Sequence, residues 1–337
     1  MGLRPFYGNM ITESANRDGK LHPFGFEMDL AWHFIGEKAW DNLYTYPRAG
    51  ISVLYNHYDY PEVLGQFTGI YPFFEPFLYA HNKVSASVKI AQGVGYINTF
   101  YDEKTNPENI YFSSHLNFIQ FFRFALHMQL TERLNGSLGI HYFHVSNSGI
   151  SEPNLGLEVG AVNLGLDYNM GKTNFRKQVV ARKPPYDWKK FDFATTALAT
   201  LQVNNTVNKH PLIWGLNLSA RKYIIGLSAI TAGVDLVSDG RVREQLSNDN
   251  DPGNDAFINQ MNISFLFGHE FMFNRFLVSQ QFGYYLVPDA EQKKPWFQRY
   301  GISFLIYKNL ALGINLKMHS KTGDYLDFRL THYWPLY

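Results

Sequence analysis

The feature that most constrains this chain is a two-residue hydrophobic alternation carried through long runs. Val84, Ala86, Val88 and Ile90 fall on one face, and Lys83, Ser85, Ser87 and Lys89 on the other. Leu312, Ile314, Leu316 and Met318 alternate with Gly313, Asn315 and Lys317; Leu326, Phe328 and Leu330 alternate with Asp327, Arg329 and Thr331. A period of two marks β-strands with one apolar face. The candidate strands are long, for example Ser114 to Leu130 and Asn154 to Met170. Ordinary globular strands take about 5–6 residues, whereas a tilted strand crossing a bilayer takes about 9–11. Serial hairpins of such strands predict an all-β fold, a transmembrane up-and-down antiparallel β-barrel.

Composition agrees with this reading. Aromatics make up 17% of the 337 residues and charged residues only 18%, yet mean hydropathy is slightly negative. A membrane barrel has this mixture, because lipid-facing apolar residues alternate with polar lumen residues and aromatics gather at the interfaces. A soluble sandwich has it too, so composition alone does not choose. No run of about 20 apolar residues offers a transmembrane helix. Absence of cysteine excludes disulfides and thiolate metal sites. The net charge of +1 gives no nucleic-acid signal. The start, Met1-Gly2-Leu3-Arg4-Pro5, is not a signal peptide, so for a secreted protein the expectation is a mature chain.

Strands read from Phe24 onward suggest about fourteen, with twelve to sixteen allowed, since closed bacterial barrels use an even number. The expectation is one barrel over residues 1–337, with 171–337 adding strands to those of 24–170. Residues 239–256 read as a polar loop. Residues 171–191, with Lys172, Arg176, Lys177, Arg182, Lys183, Lys189 and Lys190, read as a solvated basic connection or a contact for anionic headgroups. The aromatic end, Tyr333-Trp334-Pro335-Leu336-Tyr337, resembles the C-terminal assembly signal of outer-membrane barrels.

Chemistry concentrates in His141-Tyr142-Phe143-His144-Val145-Ser146-Asn147-Ser148-Gly149 and the following Glu152 to Glu158. Leu138, Ile140 and Tyr142 share the even register of the entering strand, and His144 and Ser146 continue it. Val162, Leu164 and Leu166 share a register with Glu158 on the leaving strand. His, Ser and Glu therefore project from an apolar face, where polar groups are expensive unless they pair or work. A hairpin symmetric about Ser151 sets His144 opposite Glu158 and Gly156 opposite Ser146. A hydroxyl, an imidazole to take its proton and a carboxylate to orient the imidazole are the parts of an activated nucleophile. A polar cross-strand cluster at a membrane interface would look the same. The twelve histidines invite a metal reading, but His141 and His144 lie on opposite faces and cannot chelate together. Neither metal nor organic cofactor is expected.

The segment resembles the motif of the lipid A 3-O-deacylase family, PagL, whose members are outer-membrane barrels. The resemblance implies a serine esterase with Ser146 as nucleophile, His144 as base and Glu158 as orienter. It implies an oxyanion hole from the Asn147 amide and the Gly149 N–H. Lipid A of lipopolysaccharide is then the substrate, met among outer-membrane lipids of a Gram-negative bacterium, with acyl chains along Ile140, Tyr142, Gly156 and Val162. The family's smallest members are eight-stranded, so residues beyond about 170 read as an enlargement. Two alternatives stand beside this. Outer-membrane phospholipase A carries similar text with an Asn twelve residues after the His, where this chain has Gly156. A non-catalytic channel or structural barrel would carry the triad as a vestige. The side of the membrane is open: counting from Phe24 places the triad at one rim, and a strand at Phe6–Ile11 reverses the parity.

Overall fold

The computed structural model describes residues 1–12, 14–15, 21–34, 46–148, 151–171, 191–202, 211–225, 228–242, 257–273, 275–288, 295–319 and 322–335. The basic run 172–190, Gly149 and Tyr337 lie outside them. The described residues fold almost wholly as antiparallel strands, as the alternation requires.

The strands close twice, not once. The first sheet contains β1 (Gly2–Met10), β2 (Phe24–His33), β3 (Arg48–His57), β4 (Gln66–Glu75), β5 (Phe77–His81), β6 (Val84–Ile97), β7 (Leu116–Gln129), β8 (Leu134–Ser146) and β9 (Leu157–Tyr168). Its order is β4-β3-β2-β1-β9-β8-β7-β6-β5, and pairing of β4 with β6 closes it into eight strands plus the short β5. The second comprises β10 (Phe191–Leu201), β11 (Leu212–Ile225), β12 (Ser228–Asp239), β13 (Met261–Phe273), β14 (Phe276–Val287), β15 (Trp296–Tyr307), β16 (Leu310–His319) and β17 (Thr322–Pro335). It closes as its own barrel when β10 pairs with β17, Ala194 facing Tyr333 and Ala197 facing Leu330. Residues 171–337 therefore do not enlarge one barrel of about fourteen strands. Alternation marks a strand and its faces but not its partner. Here β1 takes β9, with Met10 opposite Val159 and Tyr7 opposite Val162, so the first ring is complete before β10 begins.

Strand number also decides what fills the interiors. An eight-stranded barrel is just wide enough for side chains, whereas an aqueous pore takes about sixteen. Neither ring has the large strand count that a channel was expected to need. In the first lumen Arg4 pairs with Asp29 and Asp167, Lys89 with Glu27 and Asp29, and Arg48 with Glu75 and Asp167. Arg4, Lys89 and Arg123 are fully buried. These polar faces look inward, and Leu138, Ile140, Leu164 and Leu166 look outward and are exposed. That is the polarity of a barrel in lipid.

One end of this lumen is apolar. Phe6, Met10, Leu54, Tyr58, Phe67, Tyr71, Phe112, Phe121, Phe143 and Val159 form one buried cluster. The 98–115 connection closes over it. Asn109 donates to the carbonyls of Val63 and Thr99 at 2.7 and 3.3 Å, and Phe112 tilts against Tyr58. In the same connection, donation from the Thr105 N–H and hydroxyl and the Lys104 N–H holds the exposed Asp102 carboxyl below its usual range. The strand β1 also fixes the parity left open above. The rim where β1 ends carries the 11–23, 58–65, 98–115 and 147–156 connections.

Candidate active site

The hairpin of β8 and β9 pairs in the register that its sequence implies, with His144 opposite Glu158, Tyr142 opposite Gly160 and Ile140 opposite Val162. An even-numbered residue here faces outward, because Phe143 and Val145 are fully buried in the lumen cluster. His144 and Ser146 are thus neighbours on the outer face, two residues apart at the end of β8. His144 Nε2 lies 3.1 Å from Ser146 Oγ. Its other ring nitrogen, Nδ1, lies 3.9 Å from Glu158 Oε1. The three groups form a line from hydroxyl to imidazole to carboxylate. The second distance exceeds hydrogen-bond length, as catalytic contacts often do before substrate binds. His144 and Glu158 are half-buried, so the line is open on its lipid-facing side.

Glu158 is held through its backbone. Its backbone N–H donates to Thr12 Oγ1 at 2.9 Å, and its carbonyl accepts from the Ile11 N–H at 2.9 Å. The Tyr142 hydroxyl lies within electrostatic reach of its carboxylate. Tyr142 therefore does more than offer an apolar surface. Ile140 and Val162 are 60% and 53% exposed, leaving an outward apolar path below the triad. A groove of about 820 Å³ continues it, lined by Tyr7, Asn9, Ile140, Gly160, Val162 and Leu164 among others. Gly160, with no side chain, makes room where Tyr142 faces it across the strands.

Gly156 closes the other side. It has φ +67°, and a Cβ built on it would lie 2.8 Å from His144 Cε1 and 3.0 Å from Ser146 Cβ. Its N–H donates to the Tyr111 carbonyl, and the Leu155 N–H to that of Ile110, so the 98–115 connection fixes the entrance to β9.

The two oxyanion residues implied by the resemblance stand differently. Gly149 is outside the described residues. Asn147 is fully buried, and its side-chain amide donates to Ser113 Oγ, the Ser151 carbonyl and Ser151 Oγ at 2.9, 2.8 and 3.0 Å. Its backbone N–H donates to Asn154 Oδ1 at 2.9 Å. The amide is engaged within the turn. Ser113 and Thr12 lie on other connections, and no local spacing reveals them; Ser151 sits in the turn itself, where the sequence marks it only as the centre of the hairpin. Two further outward polar residues, Gln120 and Gln92, continue the row of His144 across β7 and β6, with Gln120 opposite His144 and Gln92 opposite Gln120. Their signal was available: each breaks an apolar register, as His144 does. Among the described residues no group of three or more His, Cys, Asp or Glu could hold a metal.

Comparison with known proteins adds the family. No curated protein matches the sequence. Among solved structures, the outer membrane enzyme PagL is similar at 14% identity, covering 49% of this chain and 98% of that chain, with a TM-score of 0.37. A triple-mutant porin of Rhodopseudomonas blastica is similar at 8% identity, covering 99% of this chain and 98% of that one, with a TM-score of 0.22. Likenesses this distant have no bearing on function. The family profiles are more direct. Residues 25–167 match lipid A 3-O-deacylase (PagL), and residues 191–334 match the C-terminal domain of acyloxyacyl hydrolase. The two matches take in nearly all of both barrels, and the chain belongs to the lipid A 3-O-deacylase (PagL) family.

Proposed function

We propose that this protein is an outer-membrane serine esterase that removes an ester-linked acyl chain, the 3-O chain, from lipid A. The observation that carries the proposal is the line Ser146–His144–Glu158 on the outward, lipid-facing side of one hairpin. Ser146 attacks the ester carbonyl while His144 takes its proton. The tetrahedral intermediate collapses, and His144 delivers that proton to the departing sugar hydroxyl. Water, deprotonated by His144, then attacks the acyl-enzyme and releases the fatty acid and free Ser146. Glu158 orients the imidazole and stabilises its charged form. The acyl chain lies along Ile140, Tyr142, Gly160 and Val162, so the membrane itself delivers the substrate.

The oxyanion donors in this reading are the Asn147 amide and the Gly149 N–H. Asn147 exchanges its bond to Ser113 for the oxyanion, while its bonds to Ser151 keep the turn in place. The triad rim faces the cell exterior, where lipid A resides. Extracellular connections are the longer ones, and three of those at this rim are long.

The test is Ser146→Ala in cells, read by mass spectrometry of lipid A. The deacylated species should disappear; a mutant that deacylates like the wild type ends the assignment. A phospholipase would instead release fatty acid from diacyl phospholipid in a chelator-sensitive way. Gly156, standing where that family has an orienting Asn, argues against it.

A further inference from the structure

The row of outward side chains that holds Glu158 and His144 does not stop at the hairpin. It runs on through Gln120 of β7 to Gln92 of β6, each directly opposite the last. Their neighbours on the same face are apolar: Phe122, Phe124, Leu126 and Met128 on β7, and Val94 on β6, all exposed. Two uncharged amides are thus embedded in a surface built for hydrocarbon.

Such placement is costly unless the amides have partners. Among the described residues no hydrogen bond engages the Gln120 side-chain amide. Gln92 Oε1 is shielded from solvent and has no hydrogen-bond partner. Neither residue serves the triad's own geometry, which His144, Ser146, Glu158 and Thr12 complete among themselves. Adjacent strands are about 4.8 Å apart, which sets the two amides roughly 5 and 10 Å to one side of His144.

We propose that Gln120 and Gln92 form a subsite for the amide and hydroxyl groups at the root of a second acyl chain on the same glycolipid. The proposal rests on the deacylase reading and names what fixes the substrate beside the scissile ester. A neutral amide offers two donors and an acceptor, and so matches another amide or a hydroxyl. A phosphate would call for Arg or Lys, and neither occurs in this row. The height on the barrel fits as well. The row lies one step below Ser146, about 6.5–7 Å along the strand, where the polar roots of neighbouring chains hang beneath the sugar. With the cleaved chain over Tyr142 and Gly160 and the second chain over Phe122 and Ile90, which face each other one step below the two amides, only one ester reaches Ser146.

The test uses Gln120→Leu and Gln92→Leu in the full-length protein. Leucine suits a lipid-facing position, and heat-dependent gel mobility checks that the barrels remain folded. Each variant should lower kcat/KM for purified lipid A about five- to tenfold, the worth of one neutral hydrogen bond. Turnover of p-nitrophenyl octanoate, which has one acyl group and no neighbouring amide, should not change. Equal losses on both substrates, or none on either, overturn the subsite. A second measurement separates this idea from the triad. In a Ser146→Ala background, Gln120→Leu should weaken binding of fluorescently labelled lipid A by a similar factor. If binding is unchanged there, the subsite fails even where Ser146→Ala abolishes turnover. If Ser146→Ala leaves turnover intact, the triad reading fails, and the binding assay still decides the subsite.

Discussion

Gly156 stands against His144 with no space between them for a side chain: a Cβ would come within 2.8 Å of the ring's Cε1. The same residue has φ +67°, a conformation costing an L-residue about 1–2 kcal/mol. Gly156→Ala therefore strains the entrance to β9 and pushes His144 off its line to Ser146. The expected outcome is a folded barrel with ester hydrolysis reduced at least about tenfold, since small displacements of reacting groups cost up to about 10²-fold. Turnover of p-nitrophenyl octanoate measures it; wild-type turnover would show that the imidazole does not depend on this gap.

Glu158→Gln keeps the shape of the carboxylate and removes its charge. In a triad the orienting group fixes the tautomer of the imidazole and stabilises its cation, and the corresponding change elsewhere costs about 10⁴ in kcat. A loss of about 10²–10⁴ is expected here, given the 3.9 Å separation from His144. Tyr142→Phe removes only the hydroxyl beside Glu158 and should cost a few-fold, less than one hydrogen bond to a charged group would. A larger loss for Tyr142→Phe than for Glu158→Gln would reverse the assigned roles.

Much of this hairpin was legible in the sequence for a local reason. Residues 144 and 158 lie close in the chain, and a turn centred near Ser151 fixes the register of both strands. The faces were legible because Phe143 and Val145 must point opposite to His144. Closure of the barrels was not. The pairing of β1 with β9 joins residues far apart in the chain, as with Leu3 and Leu166. Alternation is blind to such pairing: any apolar-out strand can follow any other in a ring. The engagement of Asn147 was hidden likewise, because its partner Ser113 arrives from another connection.

That engagement is itself testable. Asn147→Ala removes the proposed oxyanion amide and three hydrogen bonds that hold the turn. Loss of one oxyanion donor costs about 10²–10³ in kcat. Ser113→Ala removes the bond that Asn147 is proposed to release, together with the 2.6 Å hydroxyl contact between Ser113 and Ser151, and leaves the bonds from Asn147 to Ser151. It should leave kcat within a few-fold of wild type or raise it. A collapse of kcat in Ser113→Ala comparable with that of Asn147→Ala would show that the Ser113 bond must persist through the reaction.

The second barrel offers a way to locate the activity. Arg299 and Asp235 pair at 2.6 Å, both buried, and Asn217 donates to the same carboxylate at 2.6 Å. Removing one partner of such a pair leaves the other charge buried and uncompensated, at about 3–5 kcal/mol. Arg299→Met should therefore lower the denaturant midpoint of the second barrel. Every member of the triad lies on β8 or β9 of the first, which closes through its own hydrogen bonds. Without denaturant, Arg299→Met should hydrolyse ester at the wild-type rate, and its turnover should outlast unfolding of the second barrel. Trp214, Trp296 and Trp334 lie on that barrel, so with Trp32, Trp40 and Trp188 replaced by Phe the fluorescence reports on the second. If turnover falls in step with that fluorescence, the second barrel takes part in the reaction, and a site confined to β8 and β9 is incomplete.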